Sequence, residues 1–289
     1  MFCRISIAVF AEIITVLLFG GPYMQQCLSV RYAIVKSPVY FSAILCYNEP
    51  EVIQMQFRKQ TKKKAVTFSY DDGVTQDIRL IELLNQYGLK CTFNLNSQLF
   101  GTKGMLMRDC GRIAHYKIHP SDVRAIYEGH EIAVHTLDHP TLPKVADDAE
   151  VIRQVEQDRL NLSELAGYEV TGMAYPGGGV NNDERVAALI KNQTGVRYAR
   201  TITCNGSFDL QTDLYRFQPT AFHLDFDKMM DLGRCFIEMD TETPQVFYIW
   251  GHSYEMDYCS DNWRRLEDFF ALISGHDDIF YGTNREVLL

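Results

Sequence analysis

From Ala65 to Tyr281 the chain alternates between two kinds of segment, and that alternation limits the fold more than any other feature. Runs rich in β-branched and aromatic residues read as strands: Ala65–Tyr70, Cys91–Leu95, Glu131–His135, Thr171–Tyr175, Val196–Thr201, Val246–Trp250 and Ile279–Tyr281. Amphipathic stretches fall between them. One helix runs through Ile78, Leu80, Ile81, Leu83, Leu84 and Tyr87, with Thr75 as its cap and Gly88 as its end. Others are expected at Ser121–Tyr127, at Asp147–Ala166 closed by Gly167, and through Val186–Ile190 with Asn181 or Asn182 as cap. Two more follow, near 226–239 and at Trp263–Ile273, while residues 204–224 read as irregular. The run VFYIW at Val246–Trp250 has no polar alternation, so it reads as a strand covered on both faces. Strand and helix in turn predict an α/β fold with a mainly parallel sheet, open or closed as a barrel. In such folds the chemistry gathers where the strands end.

The 289 residues, 46% hydrophobic, can build one large core, and a net charge of −9 argues against a general nucleic-acid binder. None of the eight cysteines stands in a Cys-x-x-Cys spacing, which disfavours a zinc knuckle. The five after residue 60 read as reduced thiols in core segments, which leans toward a cytoplasmic protein. The first 54 residues do not share the alternating pattern. Residues 5–21, ISIAVFAEIITVLLFGG, are apolar but short for a span, and they carry Glu12 with only Arg4 ahead. Three readings stand: a membrane anchor or secretion signal, a packed N-terminal extension, or residues 1–54 lying outside the functional domain. In the last case Met55, which opens a short basic lead into the first strand, is the natural start, and 55–289 is the domain.

Four strand ends carry polar groups that a parallel sheet would gather at one rim. The first is Asp71-Asp72, the second His135-Thr-Leu-Asp-His139, the third Tyr175-Pro176-Gly177, and the last Trp250-Gly-His252-Ser-Tyr-Glu255. Two histidines four apart can close on one ion from a turn or helix. A carboxylate completes a three-ligand set with open positions, the layout of a catalytic zinc. This accounts for adjacent aspartates at the end of an apolar strand. One binds the cation, and the other stays ionised beside it as a base because the cation cancels most of the repulsion.

These stretches resemble the polysaccharide deacetylase family, carbohydrate esterase family four, also called NodB-homology domains. The likeness covers roughly residues 62–285. TFSYDDG (67–73) is similar to the family's first motif, which implies Asp71 as general base and Asp72 as metal ligand. GHEIAVHTLDHP (129–140) is similar to the second, which implies His135 and His139 as ligands. The third motif keeps Pro176 but has Ala174 where the family has the arginine that orients the base. WGHSYE (250–255) resembles the fifth motif, with His252 as general acid, while the fourth has no clear counterpart. Glu255 or Asp257 is the expected partner for the His252 imidazole. The resemblance implies a distorted (β/α) barrel of about seven parallel strands and one divalent ion, usually zinc, sometimes cobalt or nickel. It further implies an acetylated carbohydrate as substrate, with Tyr175, Pro176 and Gly177 forming the oxyanion and substrate loop. Two alternatives stand beside a carbohydrate deacetylase. One is a weak or inactive sugar- or metal-binding module, favoured by the missing arginine. The other is a hydrolase of another linear or cyclic amide. Tyr70, Tyr175, Trp250, Tyr254 and Trp263 are open between sugar contacts and core packing, with Trp250 leaning to the core.

Overall fold

The computed structural model describes residues 62–289, so the reading of residues 1–54, of the apolar run at 5–21 and of a start at Met55 falls outside the described residues. Within them the sheet is organised around β1 (Lys64–Asp71), in which all eight residues are buried. One edge of β1 pairs along its length with β9 (Gln245–Gly251). The other edge is shared in succession: β10 (Ile279–Tyr281) takes Lys64–Val66, and β2 (Cys91–Leu95) takes Phe68–Asp71. Beyond β2 follow β5 (Glu131–Val134), β6 (Gly172–Ala174) and β7 (Tyr198–Arg200), and beyond β9 the two-residue β8 (Ala221–Phe222). Every ladder in this sheet is parallel. Seven strands lie on the path and β10 is an eighth, as the expected barrel requires.

A single stretch closes the ring. Phe217 N–H donates to Ala199 O at 3.0 Å, and Thr201 N–H donates to Phe217 O at 2.9 Å. Four residues later Ala221 and Phe222 pair with Ile249 and Trp250 of β9. Residues 217–222 therefore join both ends of the sheet. The sequence reading left them irregular because β8 is too short to show a period.

The helices that cover the sheet are α1 (Asp77–Gln86), α2 (Val123–Ile126), α3 (Asp148–Ala166), α4 (Glu184–Gln193), α5 (Phe226–Glu238), α6 (Asn262–Ile273) and α7 (Asn284–Leu288). α3 starts as expected, with the Asp147 carboxylate accepting from Ala149 N–H at 3.0 Å, and stops at Gly167, left-handed at φ 79°. Two expected caps are corrected. Asp183, not Asn181 or Asn182, caps α4 by accepting from Val186 N–H. Thr75 does not cap α1; its N–H donates to Tyr116 O at 2.8 Å instead. That bond ties in an antiparallel hairpin, β3 (Lys103–Arg108) and β4 (Gly111–Tyr116), which the sequence reading did not anticipate. The hairpin stands beside the end of β1, where Ile118 N–H reaches Gly73 O.

Aromatic edges pack the core: Phe68 of β1 meets Phe269 and Phe270 of α6 in T-shaped pairs. The five described cysteines are all free, as expected, but only Cys91 is buried, and Cys110, Cys235 and Cys259 are exposed. No helix among the described residues is long and apolar enough to cross a membrane.

One glycine in the sheet admits no side chain. A Cβ on Gly172 would stand 2.1 Å from the Tyr198 hydroxyl, which donates to Glu131 Oε1 at 2.8 Å inside the barrel. Gly172→Ala should cost at least about 2 kcal/mol, because neither the strand nor the bonded tyrosine can yield. A urea unfolding midpoint unchanged from wild type would show that the barrel has room there.

Candidate active site

The site begins where β1 ends. Asp72 sits at φ 85°, and Gly73 behind it at φ 62°. The geometry is forced from several sides. Asp72 N–H donates to Asn94 O at 3.0 Å, and the Lys117 ammonium donates to Asp72 O at 2.5 Å. A Cβ on Gly73 would meet Leu95 Cδ2 at 2.7 Å. Among the described residues the other non-glycines in this left-handed region are Thr136 and His139, both at φ 68°. Each such backbone costs on the order of 1–3 kcal/mol and persists only where its surroundings over-determine it. Here Asn96 Nδ2 supplies that restraint, donating to His135 O at 2.6 Å and Thr136 O at 3.1 Å. The strain falls on the segments that carry the expected ligands.

Asp72, His135 and His139 do come together, with one possible ligand atom from each within 4.8 Å of the others. His135 donates Nδ1–H to Ala174 O at 2.8 Å, which leaves the Nε2 lone pair facing the carboxylates. Burial holds the His135 imidazole down at about 4 and also lowers His139, so both rings are neutral and free to donate lone pairs. Burial opposes charge on Asp72, but the Lys117 ammonium, then His115, outweigh it and hold the carboxyl well below its usual range. Lys117 Nζ is 3.2 Å from Oδ1 and His115 Nε2 is 3.3 Å from Oδ2. An anionic oxygen and two neutral imidazoles are a donor set that fits a divalent ion such as zinc.

Asp71 is 2% exposed in its side chain and needs a counter-charge to remain ionised there. Ala174 cannot supply it. Arg200, at the end of β7, does: its Nη2 donates to Asp71 Oδ1 at 2.5 Å and to Oδ2 at 2.6 Å. Asn94 Nδ2 adds a third bond to Oδ1 at 2.8 Å. Burial pushes the Asp71 carboxyl up, the Arg200 guanidinium outweighs it, and the result lies below the ordinary 3.8. The guanidinium is itself fully buried, 4.8 Å from the Trp250 ring centroid, which settles Trp250 as core and as the wall behind the arginine.

Opposite these carboxylates stands His252. Burial opposes a charge on it, but the Glu255 carboxylate outweighs burial and lifts the imidazole to about 9. Glu255 Oε2 accepts from His252 N–H at 3.1 Å and lies 3.1 Å from its Nδ1, an ion-pair distance off the line of a hydrogen bond. Of the two expected partners, then, Glu255 meets the imidazole. Asp257 does not: it accepts from Gln76 Nε2 and from Trp263 Nε1, both at 2.9 Å.

The loop after β6 is also placed. Asn181 Nδ2 donates to Tyr175 O at 3.0 Å and Gly177 O at 3.1 Å, and so ties the loop down across Pro176. The Tyr175 ring is buried and its hydroxyl donates to Tyr215 O, so this residue offers only its backbone to the site. Tyr254 stands at the rim, its ring 5.0 Å from His252 and 4.9 Å from His115.

The sequence reading missed Arg200, Asn94, Asn96, Lys117, His115 and His223. Asn94 left one trace, an amide within the mostly apolar strand CTFNL, whereas Arg200 stands in VRYART beside a second arginine and is not singled out. His115 lies on the unanticipated hairpin and Lys117 directly after it, and neither left a trace.

The family profile described as polysaccharide deacetylase matches residues 58–199. Over that stretch the chain is similar to the polysaccharide deacetylase family. It is 26% identical to the peptidoglycan-N-acetylglucosamine deacetylase PgdA of Listeria monocytogenes over 126 residues, which are 43% of this chain and 23% of that protein. The chain thus spans about a quarter of that relative's length. Among solved structures, the family 4 carbohydrate esterase of Streptomyces lividans aligns at TM-score 0.45 and 13% identity, over 76% of this chain and 93% of that one. The peptidoglycan deacetylase PdaC of Bacillus subtilis aligns at 0.45 and 16%, over 78% and 90%.

Arg200→Leu leaves the Asp71 charge buried and unpaired, and should cost about 3–5 kcal/mol in urea unfolding. Asp71→Asn in the same chain should return part of that loss. Strictly additive effects would mean that the two side chains do not hold each other. The sign with pH is also set. The pair's contribution is complete above the ordinary carboxyl value of 3.8 and fades as pH falls through the lowered one.

Proposed function

We propose that this protein is a metal-dependent hydrolase that removes acetyl groups from N-acetylated sugars or polysaccharides and releases acetate. One observation carries the reading: a carboxylate held ionised by Arg200 and an imidazole held protonated by Glu255 flank the Asp72, His135 and His139 cluster. Amide hydrolysis needs that pairing of base and acid, because an amine leaves poorly without a proton. A divalent ion held by Asp72, His135 and His139, zinc or else cobalt or nickel, would supply a Lewis acid that polarises the acetyl carbonyl and acidifies water.

Asp71 takes the proton of the attacking water through a carboxylate oxygen while Arg200 keeps that carboxylate in place. The water oxygen bonds to the carbonyl carbon. The Gly177 N–H, on the loop that Asn181 fastens, stabilises the developing oxyanion, and one such donor is typically worth about 3 kcal/mol. As the C–N bond breaks, His252 gives its Nε2 proton to the nitrogen. Acetate and a free amino sugar result. The match to the family profile and the similarity to a peptidoglycan deacetylase support an acetylated carbohydrate. The feature that favoured an inactive module was Ala174 in place of the family's arginine. Arg200 reaches the same carboxylate from β7, so that feature no longer favours inactivity.

Acetate release from chitin oligomers, peptidoglycan fragments and acetylated xylan tests the reading. Asp71→Asn should still bind zinc but release acetate at a rate at least about 100-fold lower. Undiminished release from that variant would remove Asp71 from the chemistry. The rate should hold through neutral pH and fall as pH rises through about 9, where His252 loses its proton. In Glu255→Gln the counter-charge is gone, so the fall should move down toward the ordinary 6.5. An alkaline limb that stays in place would clear Glu255 of any part in holding the acid.

A further inference from the structure

Glu255 serves two histidines. Its Oε2, which faces His252, also lies 2.7 Å from Nε2 of His223, the residue that follows β8. The His223 ring has no solvent exposure, whereas the His252 side chain is 19% exposed, so only His252 can meet a substrate. The other His223 nitrogen, Nδ1, lies 3.1 Å from the Tyr70 hydroxyl, and the two rings pack edge to face. An ionised Glu255 can only accept, so His223 Nε2 must carry the hydrogen. In a neutral ring Nδ1 then accepts, and Tyr70 O–H donates to it. The ring has no freedom to leave: a Cβ on Gly251 would stand 2.3 Å from it, so the glycine between Trp250 and His252 exists as the floor on which His223 lies. Nothing proposed above for the reaction uses His223 or the Tyr70 hydroxyl.

We propose that His223 is a positioning residue for the acid, holding the Glu255 carboxylate aimed at His252 through Nε2–H, with Tyr70 selecting the tautomer that allows it. The inference rests on His252 being the acid of the proposed reaction. Without the His223 donor, Glu255 keeps only contacts from His252 itself and is free to turn. The loss should therefore appear only where the leaving group needs a proton.

The test compares two substrates on the zinc-loaded full chain: a chitin oligomer, whose amine needs the acid, and 4-nitrophenyl acetate, whose phenolate does not. His223→Leu should lower kcat on the oligomer about 30-fold with little change in KM, and leave the aryl ester within about threefold. His223→Gln, which can still donate to Glu255, should recover most of the oligomer rate, and Tyr70→Phe should fall between the two. Retained ester hydrolysis also reports that the variant has folded. Equal losses on both substrates, or none on the oligomer, would overturn the proposal. Should the wild type not deacetylate the oligomer, the hydrolase reading fails by itself. Imidazole ¹⁵N–¹H spectra then decide the positioning role: His252 signals that shift in His223→Leu support it, and signals that stay in place refute it.

Discussion

A carboxylate placed inside a barrel survives as an anion only if something positive is built in beside it. That constraint governs this protein. Asp71 ends the central strand, nearly out of reach of water, and Arg200 arrives from the far side of the sheet to pair with it. Much of the architecture follows from bringing those two together. The strands must curl until β7 faces β1. Trp250 must back the guanidinium, and Asn94 must complete the carboxylate's hydrogen bonds.

The remaining polar groups obey the same rule. The ionised carboxylates beside the ligand cluster have their own counterparts: Lys117 for Asp72 and His252 for Glu255. Buried carboxylates without a cation rely on hydrogen bonds and are pushed upward. Asp77, held by Ser253 and Tyr127, rises by burial to about 7, as does Asp158, which accepts from Ser97 and His135 N–H groups. The rim therefore holds two populations of acids. Those with cations stay ionised and face the ligand cluster, while those without brace the loops that carry it.

The sequence made the barrel legible because its signals are local. Apolar strands of five to seven residues, helical periodicity in α1, α3 and α6, and Gly167 past a helix end are written in adjacent residues. Asp71, Asp72, His135, His139 and His252 were legible for the same reason, since each sits in a short stretch with its own pattern. What stayed hidden depends on distance through space. Arg200 lies 129 residues from its partner, and nothing near it in the chain announces a carboxylate. His115 and Lys117 reach Asp72 from the end of a hairpin too polar and irregular to be read as strands. Glu255 and Asp257 both follow His252 closely enough in the sequence to be its partner. Only contacts through space separate them, because Asp257 is taken up by Gln76 and Trp263.

The short ladder that Phe217 makes with β7 has a consequence for how such a molecule could be switched off. The guanidinium is carried on the last residue of that strand, so its reach to Asp71 is a matter of circumference. Were those bonds lost, β6 alone would hold the strand, and any shift of it away from β1 would leave the carboxylate unpaired and drawn to a proton. Proton affinity at Asp71 is thereby geared to a pair of main-chain bonds at Phe217.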